Sequence, residues 1–169
     1  MLHNVNKSRA NFMKVVLLLT GKTKEQYVSE GVQIYEKRIR KYVSFEIVTL
    51  PGLRNSGNLS SAEVRLKEGE KILSSLNSED YVILLDEKGT EFATTEFAKW
   101  FEKLLVLQKK RLMFIIGGSW GLSDAVFQRA DFSVSLSKLT FSHQIVRLVF
   151  MEQLYRILAI LKGDPYHHE

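Results

Sequence analysis

Apolar residues along this chain alternate between two spacings. Val15 to Leu19 is an unbroken run of Val and Leu closed by Thr20 and Gly21, and Glu25 to Lys41 then repeats apolar residues at helical spacing. That reads as a strand followed by an amphipathic helix. Phe45 to Leu50 is a second strand, closed by Pro51 and Gly52, and Leu53 to Leu59 is a polar surface loop. Ser60 or Ser61 caps a helix to about Leu76, with Glu63 and Lys67 spaced to pair on its solvent side. Tyr81 to Leu85 is a buried strand, Asp86 to Gly89 a turn, and Thr94 or Thr95 starts a helix through Leu107. Leu112 to Ile116 is another buried strand; beyond Gly117 to Gly121, Ser123 caps a short helix to Arg129, and Phe132 to Ser135 is a brief strand. Strands alternating with helices predict an α/β fold on a parallel sheet, with helices on both faces.

The final helix, from about His143 to Lys162, breaks the amphipathic rule. Apolar residues surround nearly its whole circumference, among them Ile145, Leu148, Val149, Met151, Leu154, Ile157 and Ile160. Arg147, Glu152, Gln153 and Arg156 interrupt it too often for a membrane span, so it is expected to pack on its own sheet and on a second subunit. A homodimer through this helix follows. Residues 1–12 are polar and aperiodic and read as a disordered extension, with Met13 a second possible start. Residues 13–169 then form a single domain.

Composition narrows the chemistry. At 169 residues and 45% hydrophobic, the chain can bury one core but hardly two. The absence of cysteine excludes disulfides, thiolate metal sites and a thiol nucleophile, and fits a cytoplasmic protein. Its longest apolar run, Met13 to Leu19, is far short of the roughly 20 residues that span a bilayer, so no membrane partner is expected. The net charge of +5 biases the chain only moderately toward polyanions.

In an open parallel sheet, ligands bind at the carboxyl ends of strands, and three such ends are unusual here. Tyr81 to Leu85 ends at Asp86 with Gly89 close behind; Leu112 to Ile116 ends in Gly117, Gly118, Ser119, Trp120 and Gly121; Ser135 to His143 breaks into small hydroxyl residues before the last helix. The glycine segment is neither a phosphate-binding Walker loop nor a three-glycine dinucleotide fingerprint. Two readings of it stand: a surface a ligand approaches closely, or merely a tight turn. Trp120 likewise either stacks on a partner or plugs the core. The backbone of the third segment can grip an adenine edge.

Three stretches resemble one family: FIIGGSWG at 114–121, SLSKLTFSHQIVRLVFMEQLYRI at 135–157 and the terminal PYHHE. They resemble the bacterial large-subunit rRNA pseudouridine N3-methyltransferases, part of the SPOUT superfamily of α/β-knot methyltransferases. The resemblance covers Met13 to Glu169. It implies a C-terminal trefoil knot, which ordinary topology rules count against, and a dimer built around it. It implies S-adenosylmethionine held at Leu85, Gly117, Gly118, Leu136, Ser137, Lys138, Leu139, Thr140 and Phe141. The implied substrate is a pseudouridine of 23S rRNA, in the stem-loop facing the decoding centre, methylated at N3 within the assembled 70S ribosome.

Such a reaction needs donor and acceptor held in line and a proton removed from N3. His143 at the head of the last helix is the candidate base, or else a hydrogen-bonding helix residue. Arg147, one turn on, either meets RNA or the cofactor carboxylate, or forms an interface ion pair. Tyr166, His167 and His168 are expected to reach RNA, with Tyr166 stacking on a base; paired histidines beside a terminal Glu make no typical metal site, and no metal is expected. The basic runs 36–41 and 109–111 are either backbone contacts or solvated helix ends. The competing functions are a SPOUT enzyme acting on another RNA such as tRNA and a nonenzymatic ribosome-binding factor.

Overall fold

The structure is a computed structural model and describes Met13 to Tyr166. The expected N-terminal extension and two tail histidines, His167 and His168, lie outside the described residues. The elements run β1 (Lys14–Thr20), α1 (Gln26–Ile39), β2 (Phe45–Leu50), α2 (Ser61–Ser75), β3 (Tyr81–Glu91), α3 (Thr94–Leu105), β4 (Arg111–Ile116), α4 (Asp124–Arg129), β5 (Phe132–Ser135) and α5 (Ile145–Lys162). A 3-10 turn, Ser56–Asn58, lies within the polar loop before α2.

All five strands pair in parallel, in the order β2-β1-β4-β3-β5. The period of two in a strand explains why the central strands carry no polar alternation. Val15, Leu17 and Leu19 of β1 join Ile83, Leu112 and Phe114 in a core shared with α1, α3 and α5. Val16 and Leu18 join Val82, Leu84, Met113 and Ile115 beneath α2 and α4. Helices therefore cover both faces, and the central strands β1 and β4 and the first half of β3 bury both of their sides.

Capping chemistry settles several boundaries. Ser60 caps α2 in a reciprocal box: its hydroxyl accepts from the Glu63 N–H at 3.2 Å, and Glu63 accepts from the Ser60 N–H at 2.8 Å. Glu63 is thus turned to the cap rather than toward Lys67. At α3 the N-cap position falls on Ala93, whose N–H donates to Glu96 at 2.9 Å, so the helix gets half a box without a hydroxyl. Ser123 sits at the α4 N-cap, but its buried hydroxyl has no hydrogen-bond partner and is packed against Gly69 of α2.

Two expectations shift. The strand from Tyr81 does not end at Leu85: residues 86–89 bulge out, and Thr90 and Glu91 resume pairing with Val134 and Ser135 of β5. Gly89 is what permits this, because a Cβ there would lie 2.6 Å from the Val134 carbonyl carbon. The last helix begins at Ile145, since Gln144 turns its side-chain oxygen to the Lys24 N–H at 2.8 Å instead of joining the helix. One face of α5 is sealed in the core through Phe150, Met151, Leu154, Ile157 and Leu158. Val149 on another face is only half buried.

Candidate active site

The carboxyl ends of β3, β4 and β5 open into a cavity of about 330 Å³, inside the range of about 300–1,000 Å³ typical of small-molecule sites. Its floor is apolar, from Leu85, Ile116, Leu122, Val134 and Val146. Polar groups come from the irregular segments: Asp86 and Glu87 in the bulge of β3, Ser119 after β4, and Ser137 and Thr140 after β5. The strands fix where the loops start, and the loops supply the chemistry.

Two of these loops are tied to each other. The Thr140 hydroxyl donates to Glu87 at 2.6 Å, and Lys138 lies 3.7 Å from Glu91. The second loop is further braced by Ser135, which donates to the Ser137 carbonyl at 2.9 Å, and by Ser137, which accepts from the Leu139 N–H at 2.9 Å. The small hydroxyl residues therefore replace backbone pairing where the strand has ended.

The glycine loop is a close-approach surface. A Cβ on Gly117 would press on Leu122 and on the Gly121 carbonyl carbon at 3.0 to 3.1 Å, and one on Gly118 would sit 2.5 Å from a Glu68 carboxylate oxygen. Gly121 closes the turn at φ +77°, where L side chains are strained, and its N–H donates to the Gly118 carbonyl at 3.1 Å. Glu68, on α2, presses one buried carboxylate oxygen without a hydrogen-bond partner against this loop, and burial pushes its carboxyl above the ordinary range.

His143 stands on the cavity wall with Nδ1 3.3 Å from the Ser119 hydroxyl. Burial, with the nearby Arg147 and Lys24 charges, lowers its pKa below the ordinary imidazole value, so the ring is neutral at pH 7. Arg147 is placed differently from the expectation that it meets RNA or a cofactor carboxylate. It is 0% exposed, does not line the cavity, and gives its guanidinium to the chain's own oxygens. Nε donates to the His143 carbonyl, one terminal nitrogen to Gly21 O and Thr23 Oγ1, and the other to Thr20 O, all at 2.9 to 3.0 Å. No carboxylate of this chain is among these partners. Arg147 instead clamps the end of β1 to the start of α5 and so sets where His143 stands.

Of the residues named from the sequence, Leu85, Gly117, Gly118, Leu136, Ser137, Leu139, Thr140, Phe141 and His143 all line this one cavity. Lys138 does not; its ammonium points to Glu91. Tyr166 is not there either. Its ring packs edge-on against Tyr155 at 4.6 Å, and its hydroxyl contacts Tyr35 and Glu152, which lifts its pKa to about 12. The chain folds back after α5, so this ring stands beside the middle of the helix, about 14–18 Å along its axis from His143. Sequence reasoning missed Asp86, Glu87 and Ser119 as lining groups, although their place just beyond strand ends was a sufficient signal. Three of the seven basic residues in these runs are paired: Arg40 with Glu36 at 2.7 Å, Lys110 with Glu79 at 3.2 Å, and Arg111 in a two-pronged bond with buried Asp80. No helix among the described residues is long and apolar enough to cross a membrane.

Residues 13–167 match a family model described as predicted SPOUT methyltransferase. A protein named ribosomal RNA large subunit methyltransferase H from Parabacteroides distasonis is 46% identical over 157 residues, covering 93% of this chain and 100% of that protein. Its namesake from Porphyromonas gingivalis strain W83 is 42% identical with the same coverage. Among solved structures, the tRNA (m1G37) methyltransferase of Aquifex aeolicus superposes with a TM-score of 0.56 at 16% identity, over 94% of this chain and 76% of that one. A probable methylase family protein from Haemophilus influenzae Rd KW20 gives 0.52 at 11% identity, over 95% and 72%. These two likenesses are of fold alone.

Proposed function

The chain belongs to the SPOUT methyltransferase family, and from that premise we propose that it transfers a methyl group from S-adenosylmethionine to N3 of a pseudouridine in 23S rRNA, acting on the assembled 70S ribosome. The observation that carries this reading is the convergence of the glycine loop, the 136–141 loop and a neutral His143 on one cavity at the strand ends. The names of the full-length relatives supply the RNA class.

The residues present fit the cofactor. Gly117, Gly118 and Gly121 put bare backbone on the cavity wall, where a planar ligand can press against it, although the lack of a Cβ at Gly117 and Gly118 is also required by the chain's own Leu122 and Glu68. Leu85, Leu136 and Phe141 offer apolar contacts, while the backbone of 136–141 offers donors and acceptors for an adenine edge. Asp86 and Glu87 place carboxylates where a ligand's positive charge or ribose hydroxyls gain from them. Bound there, the cofactor supplies a methyl group already activated on a sulfonium, so the protein needs no covalent intermediate.

His143 then does the acid-base work. In the tautomer whose Nδ1–H donates to Ser119 Oγ, Nε2 has its lone pair to accept the N3 proton, and the lowered pKa keeps it available at neutral pH. Arg147 acts through His143, by fixing the backbone that carries it. Tyr166, His167 and His168 are proposed RNA contacts. Because Tyr166 is held against Tyr155 and Glu152 and does not line this chain's own cavity, it serves RNA outside that cavity or the cavity of a second subunit.

The knot and the dimer belong to the same reading. From Ser135 at the sheet edge, the chain reaches the end of β1 by Gln144, the short path that a threaded C-terminal segment gives. Exposed Tyr27 and Ile34, one α-helical face of α1, together with half-buried Val149 of α5, offer a second copy an apolar surface. The enzyme works in the cytoplasm, where ribosomes are. Incubating the protein with methyl-labelled S-adenosylmethionine and undermodified 70S ribosomes, free 23S rRNA or tRNA tests the choice of substrate. Label is expected in the ribosomes; label in tRNA instead would make this a SPOUT enzyme of another RNA, and label in none would leave a binding factor.

A further inference from the structure

The two tryptophans of this chain live in opposite surroundings. Trp100 is stacked among Phe92, Phe97 and Phe132, at centroid distances of 4.9 to 5.7 Å. Trp120 is 56% exposed, although an indole offers one of the largest apolar surfaces to bury. Its two neighbours, Ser119 and Gly121, both line the cavity, so Trp120 belongs to the turn that forms the wall while its indole is left to solvent. That turn is held at both ends. Gly121 N–H donates to Gly118 O at 3.1 Å, Gly121 adopts φ +77°, and Ser119 lies 3.3 Å from His143. A flat aromatic surface is thus presented on a fixed stem, with little ordering left for a ligand to supply. The second loop adds another apolar side chain to the rim, Leu139, which is 75% exposed.

We propose that Trp120 is a stacking platform for an unpaired RNA base next to the reacting nucleoside. While the target base enters the cavity toward His143, its neighbour lies on the indole, which holds the strand in register with the methyl donor. Single-stranded bases are recognised in this way because every base has a π face, so one Trp suits any flanking nucleotide. This inference rests on the RNA methyltransferase reading above.

The test is steady-state methyl transfer to undermodified ribosomes by Trp120→Ala and Trp120→Phe, with cofactor affinity by calorimetry and sedimentation in parallel. Trp120→Ala is expected to raise KM for ribosomes about tenfold or more, with kcat, cofactor affinity and sedimentation unchanged, and Trp120→Phe to recover most of the loss. An unchanged KM overturns the proposal. So does a change in sedimentation, which would give the indole to contact with a second copy. If the wild-type protein methylates no RNA, the underlying reading fails separately, and Trp120 is then followed by emission in a Trp100→Phe background. Quenching by a single-stranded oligouridine supports stacking, and unchanged emission overturns it.

Discussion

At the scale of single residues, His143 and Arg147 divide between them what the sequence had offered jointly to catalysis. His143 is kept neutral by burial and by two nearby cations. A base with a depressed pKa stays competent as pH falls through the ordinary imidazole range near 6.5, so the rate profile should hold flat there and drop only at lower pH. His143→Gln should lower kcat about 100-fold or more while cofactor affinity, measured by calorimetry, is unchanged. The same shift carries a stability sign. A depressed folded pKa stabilises the protein above the unfolded value, and that contribution is lost as pH falls through the folded one; thermal melts of His143→Gln should show a weaker loss between pH 7 and 5 than the wild type. Arg147 has another task. Replacing it by Met leaves three carbonyls and a threonine hydroxyl at the β1–α5 junction without their donor. The expected cost is about 3 kcal/mol in urea denaturation, a loss that a residue serving only RNA would not produce.

Among the elements, what the sequence made legible follows from period and punctuation. The strand at β1 and the helix at α2 were readable because an apolar run and a capping serine are local signals, whereas the turn of Glu63 to Ser60 rather than to Lys67 was not. The continuation of β3 through Thr90 and Glu91 was not, since it exists only because β5 offers Val134 and Ser135 as partners across the bulge. The cavity was legible as a set of strand ends, and nine of the named residues converge on it; the link between its loops was not, because Glu87 and Thr140 are distant in sequence and meet only in the fold. Thr140→Val keeps the shape and removes that hydroxyl. It should weaken S-adenosylmethionine binding about three- to tenfold in calorimetry, with no change in melting temperature beyond a degree or two, because the bond lies at the surface.

For the molecule as a whole, the all-round apolar α5 is explained only in part by its own chain. Phe150, Met151, Leu154 and Ile157 are sealed by the sheet and by α1 and α3, whereas Tyr27 and Ile34 of the adjoining helix stay in solvent. Ile34→Glu should therefore shift the protein from dimer toward monomer in sedimentation equilibrium without unfolding it; a wild-type monomer at micromolar concentration would remove the dimer from the account. The net charge of +5 points the same way as an RNA substrate, but pairs such as Arg111 with Asp80 show that much of the basic complement serves the fold. The central claim is the reaction itself. It is tested most directly by treating undermodified 70S ribosomes with the protein and S-adenosylmethionine, digesting the 23S rRNA to nucleosides and analysing them by mass spectrometry. N3-methylpseudouridine is expected, formed by wild type and strongly reduced with His143→Gln; a methyl group on any other nucleoside, or none with folded protein, would contradict that reaction.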